Sequence, residues 1–219
     1  MTQLCPRIPD AAIDTAAAHL HDILSLAIEH TSSQSAIVVS DTQSELAIAL
    51  AEAYRRCLPD ATFIEFDSCA PETVLAAFER LSLGDLVVLI QSTSFRLNAF
   101  RIRVELFKRA IKVIEHPHLG RMPGAESLLY IDSLAYDRDY FRGVGNALKA
   151  CIDSAQTGII NSGNGEQLIF SAGLESAKLN VGDYSNMQNV GGQFPIGEVF
   201  TEPKDLVAVG GRVRISFFG

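Results

Sequence analysis

The chain lacks a cysteine pair at metal or redox spacing, an apolar run of membrane length and an excess of basic charge, and each shortage excludes a class of function. Its four cysteines, Cys5, Cys57, Cys69 and Cys151, lie far apart, so no C-x-x-C motif exists. Each sits in an apolar or helical context and is expected to be a buried free thiol. The longest apolar runs, such as Leu86-Val87-Val88-Leu89-Ile90, fall well short of the ~20 residues of a membrane span. Met1-Thr2-Gln3-Leu4 has neither the charged nor the apolar region of a secretory signal. Lys and Arg number 18 against 26 Asp and Glu, a formal charge of −8 that argues against a phosphate-binding surface. These shortages lead us to expect a cytoplasmic protein with neither nucleic-acid nor membrane partners.

What is present suffices for a folded core: 219 residues, of which 47% are hydrophobic. Apolar residues from Ala11 to His30 recur at helical spacing. Ser35 to Ser40 is a continuous β-branched run, the pattern of a strand covered on both faces. Asp41-Thr42 then offers an N-cap, and Glu45 to Leu58 reads as a helix ended by Pro59. Thr62 to Phe66 is a second strand. Pro71 opens another helix, with Leu75, Ala76, Phe78 and Leu81 as its inner face. Asp85 to Gln91 is a third strand, a helix covers about Phe95 to Ala110, and Ile111 to Glu115 is a fourth strand stopped by Pro117. Strands alternating with helices imply parallel β-α-β units with right-handed crossovers. Residues 1–135 therefore read as a Rossmann-like, doubly wound, mostly parallel α/β domain.

The texture changes near Tyr136. Asp137 to Ala155 reads as a helix with Phe141, Leu148, Ile152 and Ala155 on one side. Beyond it, Thr157 to Ser162, Gln167 to Ala172 and Ala177 to Val181 are short strands divided by glycine turns, the first two around Gly163-Asn164-Gly165. Leu206 to Val209 and Val213 to Phe218 read as a further hairpin turning at Gly210-Gly211. Residues 136–219 thus form a smaller region rich in β-strands and loops. The chain ends on the apolar Ile215-Ser216-Phe217-Phe218-Gly219, which leads us to expect a part of a longer polypeptide.

Five constellations bear on chemistry. The first strand-to-helix turn, Ser40-Asp41-Thr42-Gln43, has no glycine and places an acid where a phosphate would bind, so no nucleotide cofactor is expected. Gly143-Val144-Gly145 is not preceded by a strand and is no dinucleotide fingerprint. His116-Pro117-His118 is the closest histidine pair; in extended chain both imidazoles share a side, as a metal site needs, but no acidic partner is dictated by spacing. The basic cluster Arg96, Arg101, Arg103, Lys108, Arg109 and Lys112 overlaps an apolar series at Leu97, Phe100, Val104, Phe107 and Ile111. It reads as an amphipathic helix with a solvated basic face, or, with Ser92-Thr93-Ser94 and Arg96, as an anion-binding lip. Finally, Asn189 to Pro203 (NVGGQFPIGEVFTEP) holds Glu198 between Pro195, Gly197 and Pro203. A carboxylate on such a constrained path suits a metal ligand or general base, and equally an exposed loop glutamate.

This last segment resembles the signature of the aminopeptidase T / aminopeptidase S metallopeptidases, Asn…Pro-x-Gly-Glu-Val-Phe-Thr-x-Pro, matched by Asn189 and by Pro195 to Pro203. The interval from Asn189 to Pro195 is longer than the family pattern. The resemblance implies hydrolysis of N-terminal residues from peptides at a two-metal site (zinc, cobalt or magnesium) with Glu198 as one ligand, and a homodimeric assembly. In that family a second Glu, two His, an Asp and a nearby Tyr come from a later half, and none of this chain's five histidines follows Glu198. The expectation is one part of a metal-dependent aminopeptidase, inactive as these 219 residues. The alternatives are a non-catalytic relative that binds a partner, or a related metal-dependent ring-cleaving dioxygenase.

Overall fold

The structure, a computed structural model, describes residues 7–95 and 102–215. Arg96, Leu97, Phe100, Arg101, Cys5 and the end of the last expected hairpin lie outside them. The chain forms two compact units, one of residues 1–138 with 182–196, the other of residues 139–181 with 197–219. Where a single boundary at 135/136 was read from the sequence, the chain passes between the units at 138/139, 181/182 and 196/197.

The first unit is a five-stranded parallel sheet flanked by helices. In chain order it contains α1 (Asp10–Asp22), β1 (Ala36–Ser40), α2 (Glu45–Cys57), β2 (Thr62–Glu65), α3 (Pro71–Phe78), β3 (Leu86–Ile90), α4 (Ile102–Lys108), β4 (Lys112–His116) and α5 (Ala125–Ser133). The strand order is β2-β1-β3-β4, closed by a fifth strand, Gly191–Gln193, beside β4. β1 and β3 are buried at every position, as their unbroken apolar runs require. Alternate side chains then pack on opposite faces. Ile37, Val39, Val87, Leu89 and Val113 meet Val74 and Phe78 of α3 and Ile102 and Leu106 of α4. The other face lies under α1, α2 and α5, whose buried residues include Leu20, Leu50, Tyr54 and Ile131. Asp85 ties the starts of β1 and β3 together: its carboxylate accepts from the backbone N–H groups of Ser35 and Ser82, each at 2.8 Å.

Several local expectations are corrected. The first helix stops at Asp22 and continues as a π-turn over Ile23–Ala27. α2 is capped by Ser44, which accepts from Ala47 N–H at 3.2 Å, and not by Asp41-Thr42. In α3 Val74 is buried and Ala76 is exposed. In α4 the buried pair is Ile102 and Leu106, while Val104 faces solvent. α5 was not anticipated.

The second unit contains α6 (Arg138–Ser154, all but its first residue), β5 (Gly158–Asn161), β6 (Gln167–Phe170), β7 (Lys178–Asn180), β9 (Glu198–Phe200) and β10 (Val209–Gly211), with β8 (Gly191–Gln193) being the fifth strand of the first unit. β5 and β6 form the expected antiparallel hairpin. Gly210-Gly211 does not turn a hairpin: Leu206–Ala208 is a 3₁₀ turn capped by Asp205, and Val209–Gly211 pairs antiparallel with β6. β7 pairs antiparallel with β9. Leu148, expected on the packed side of α6, is 49% exposed.

β8 has no strand-forming side chains, and its place is fixed by backbone fit. Gly191 sits at φ +100°, and a Cβ there would fall 1.9 Å from the Val113 carbonyl oxygen. Only glycine meets both demands. Gly191→Ala is expected to destabilise the first unit by at least ~1–3 kcal/mol, with early amide exchange at Gly192 to Phe194. Urea unfolding followed by hydrogen exchange checks this; an unchanged midpoint would contradict the pairing.

Candidate functional site

Open α/β sheets hold ligands beyond the carboxyl ends of the strands where the order reverses, here between β1 and β3. The protein's own Asp41, fully buried, occupies that position. Its carboxylate accepts from Ser92 N–H at 2.7 Å, from Gln43 N–H at 3.1 Å and from the Ser92 hydroxyl. Ser44 and Ser92 hydroxyls lie 2.7 Å apart. Beside them Asp67 accepts from Thr42 N–H at 3.1 Å and Gln43 Nε2 at 2.9 Å, and the Thr42 N–H chiefly holds its carboxyl below the usual range. The backbone donors that would cradle an anion are therefore engaged by carboxylates. The anion lip loses its Ser92 N–H to Asp41, and Arg96 lies outside the described residues.

His116 and His118 do not act as a pair. His118 adopts a left-handed conformation, φ +59°, and is exposed at the start of a 3₁₀ turn. His116, at the end of β4, is completely buried. Its Nδ1 lies 2.8 Å from the Tyr130 hydroxyl and its Nε2 lies 2.9 Å from that of Tyr54. The Tyr130 hydroxyl donates to the Phe194 carbonyl at 2.9 Å, so its oxygen is the acceptor for His116. Because a hydroxyl has one proton, Nδ1 of His116 must carry the ring hydrogen and Nε2 must accept from Tyr54. Both ring nitrogens are spent, leaving neither for a metal. Burial pushes the His116 pKa down to about 3 and raises both tyrosines well above their ordinary range.

A second polar group was not anticipated from the sequence. Glu115 of β4 accepts from Arg103 Nη1 and Gln91 Nε2, both at 2.9 Å, while Gln91 Oε1 accepts from Phe95 N–H at 2.8 Å. Arg103 is thereby an ion-pair partner and not part of a free basic face. The visible signal was a polar residue at the end of each of two apolar strands.

Glu198 opens β9, opposite Asn180 of β7. The residue before it, Gly197, has φ +124°, and a Cβ there would lie 2.5 Å from Cε1 of Phe141. The Gly-Glu step is therefore fixed by sterics. Glu198 is exposed in an open depression with Gly197, Val199 and Phe200. Among the described residues no hydrogen bond or ion pair holds its carboxylate, and no group of three or more His, Cys, Asp or Glu is placed to hold a metal ion. The cysteines offer no substitute. Burial raises the Cys57 thiol pKa to about 12, Cys69 is half-buried, and Cys151, expected inside, is exposed.

The pH dependence of stability follows from His116. Its pKa is about 3 folded and near 6.5 unfolded, so protons bind the unfolded chain preferentially between those values. Its contribution is complete above pH 6.5 and falls by about 1.4 kcal/mol per pH unit as pH drops toward 3. Urea midpoints measured from pH 7 to 4 should show this slope in the native chain and a flatter one in His116→Gln; equal slopes would contradict the assignment.

The chain matches no family model and no curated protein. Among solved structures it is similar to wild-type AmpT from Thermus thermophilus, with 14% sequence identity and a TM-score of 0.45 over 92% of this chain and 64% of that one. The chain thus spans less than two thirds of the length of that protein. Among the described residues no helix is long and apolar enough to cross a membrane.

Proposed function

We propose that the chain is an aminopeptidase-related α/β protein in which Glu198 offers one carboxylate to a metal-dependent, peptide-hydrolysing centre that the described residues do not complete. The observation that carries this reading is the presentation of Glu198. It follows a glycine whose backbone no other residue adopts readily, it stands on a paired strand, and its carboxylate is exposed. The surrounding Pro195-x-Gly197-Glu198-Val199-Phe200-Thr201-x-Pro203 is the segment that resembles the aminopeptidase signature.

The described residues do not by themselves fit a two-metal centre. A hydrolytic zinc site takes about three protein ligands and an open position, and among the described residues no group of three or more His, Cys, Asp or Glu is placed to hold a metal ion. The remaining ligands would come from outside these residues, and the substrate would be the N-terminal residue of a peptide. The same lack of donors favours a second reading, a non-catalytic relative that binds a partner through this face.

Intact mass and metal content of the protein isolated from its source separate the two. The first reading predicts a mass well above 23.7 kDa, about two bound divalent ions and release of leucine from a leucyl anilide. Glu198→Gln in that protein should cut the rate by about 100-fold or more while shifting stability by no more than ~0.5 kcal/mol. A mass of 23.7 kDa without stoichiometric metal would overturn it in favour of the second.

A further inference from the structure

Three polar residues stand in a row at the carboxyl end of the parallel sheet, on the face that α3 and α4 otherwise cover with apolar side chains. Glu115 of β4 is in register with Leu89 of β3 and with Gln193 of β8, and Gln91 lies two residues beyond Leu89. Paired residues, and residues two apart on a strand, share a face, so Gln91, Glu115 and Gln193 project to one side. Arg103 of α4 meets this row and pairs with Glu115 at 2.9 Å. Beside it lies a concave space of about 320 Å³, walled chiefly by these four side chains with Phe95 and Ile102. That is the lower end of the range for small-molecule sites, and the wall joins apolar surface to a few convergent polar groups, as such sites do.

The polar groups of this crevice have bonding capacity left. A guanidinium carries five N–H donors; among the described residues Arg103 engages one of them, on Glu115, and its side chain is 37% exposed. Glu115 accepts one bond on each oxygen, from Gln91 and from Arg103, and each oxygen can accept another. Gln193 is exposed, and among the described residues no hydrogen bond engages its carboxamide. Gln91 is fixed at both ends, by Phe95 N–H and by Glu115, and so holds the carboxylate in place.

We propose that this crevice binds a free, zwitterionic α-amino acid with an apolar side chain. The charges select that class. A lone anion would be repelled by Glu115 and a lone cation by Arg103, since both stand in the wall. A ligand carrying both charges on one carbon avoids both repulsions. Its carboxylate would take two parallel N–H bonds from the unengaged edge of Arg103. Its ammonium would donate to Glu115 and to the Gln193 carbonyl, with its side chain against Phe95 and Ile102. In a peptide the terminal charges are separated further, by ~3.3–3.6 Å of chain for each added residue, and do not match a pair held at 2.9 Å. The crevice also lies beyond the carboxyl ends of the strands, where open α/β sheets place their ligands. This inference does not rest on the reading of Glu198.

Isothermal titration calorimetry of the whole chain with L-leucine should show saturable binding at one site. L-Leucinamide, which lacks the carboxylate, and N-acetyl-L-leucine, which lacks the ammonium, should each bind at least about tenfold more weakly, the effect of losing a charge-assisted hydrogen bond. Arg103→Lys keeps the positive charge but not the planar fork, and Gln193→Ala removes an exposed side chain. Each should weaken L-leucine binding several-fold without changing the circular dichroism spectrum, while Glu198→Gln should leave it unchanged. No saturable heat up to ~10 mM L-leucine, equal affinity for the three ligands, or binding kept in Arg103→Lys and Gln193→Ala would each overturn the proposal. Binding lost in Glu198→Gln would overturn it too, by placing the amino acid at that carboxylate instead.

Discussion

Tyr54, His116, Tyr130 and the Phe194 carbonyl form a dry hydrogen-bonded chain in which each link fixes the next. It joins α2, β4 and α5 to a segment that returns to the first unit only after residue 181. Such a chain is costly to break, because removing one member leaves a buried hydroxyl or ring nitrogen unpaired at about 1–3 kcal/mol each. It therefore specifies where Phe194 must lie. β8 extends the same constraint, since Phe194 N–H bonds the Glu115 carbonyl directly after the Gly191–Gln193 pairing. The edge of the parallel sheet is thus finished by residues distant in sequence and poor in side chains.

The segment that resembles a metallopeptidase signature is divided by this arrangement. Its first part, through Ile196, belongs to the sheet-bearing unit, and Gly197 to Pro203 belongs to the other. Within its own unit each part has a glycine at a close approach: Gly191 against the Val113 carbonyl, Gly197 against the Phe141 ring. Glu198 is the polar product of this path, a carboxylate placed by its neighbours and tied to none of them among the described residues. At the sheet's topological switch point the opposite holds, for Asp41 is wholly consumed by Ser92 and Gln43. The usual ligand position of such a sheet is spent on internal structure.

Much of the α/β unit was legible because β1 and β3 are unbroken apolar runs, the pattern of strands buried on both sides. α5 was not, since Gly124 before it supplies no capping side chain and Leu128-Leu129-Tyr130-Ile131 is a continuous run without helical spacing. β8 escaped because Gly191-Gly192-Gln193 has no strand propensity; only the exposed edge of β4 makes it a strand. The alternation of a strand misled at His116-Pro117-His118, where His118 leaves the extended path for a left-handed turn. Gly210 and Gly211 read as a turn because glycine usually marks one, yet β6 recruits both as an edge strand. Glu198 was legible as a residue, whereas its isolation depends on where every other donor lies and no local pattern records that.

The most direct test of this account is the tautomer of His116, read by nitrogen-15 correlation spectroscopy of the histidine rings in the folded protein. A protonated Nδ1 with an unprotonated Nε2, unchanged from neutral pH down to about pH 4.5, is the result the buried chain requires. A ring protonated at Nε2, or one that titrates near 6.5, would contradict it. In that case the anchor of Phe194, and with it the placement of the segment leading to Glu198, would have to be sought elsewhere.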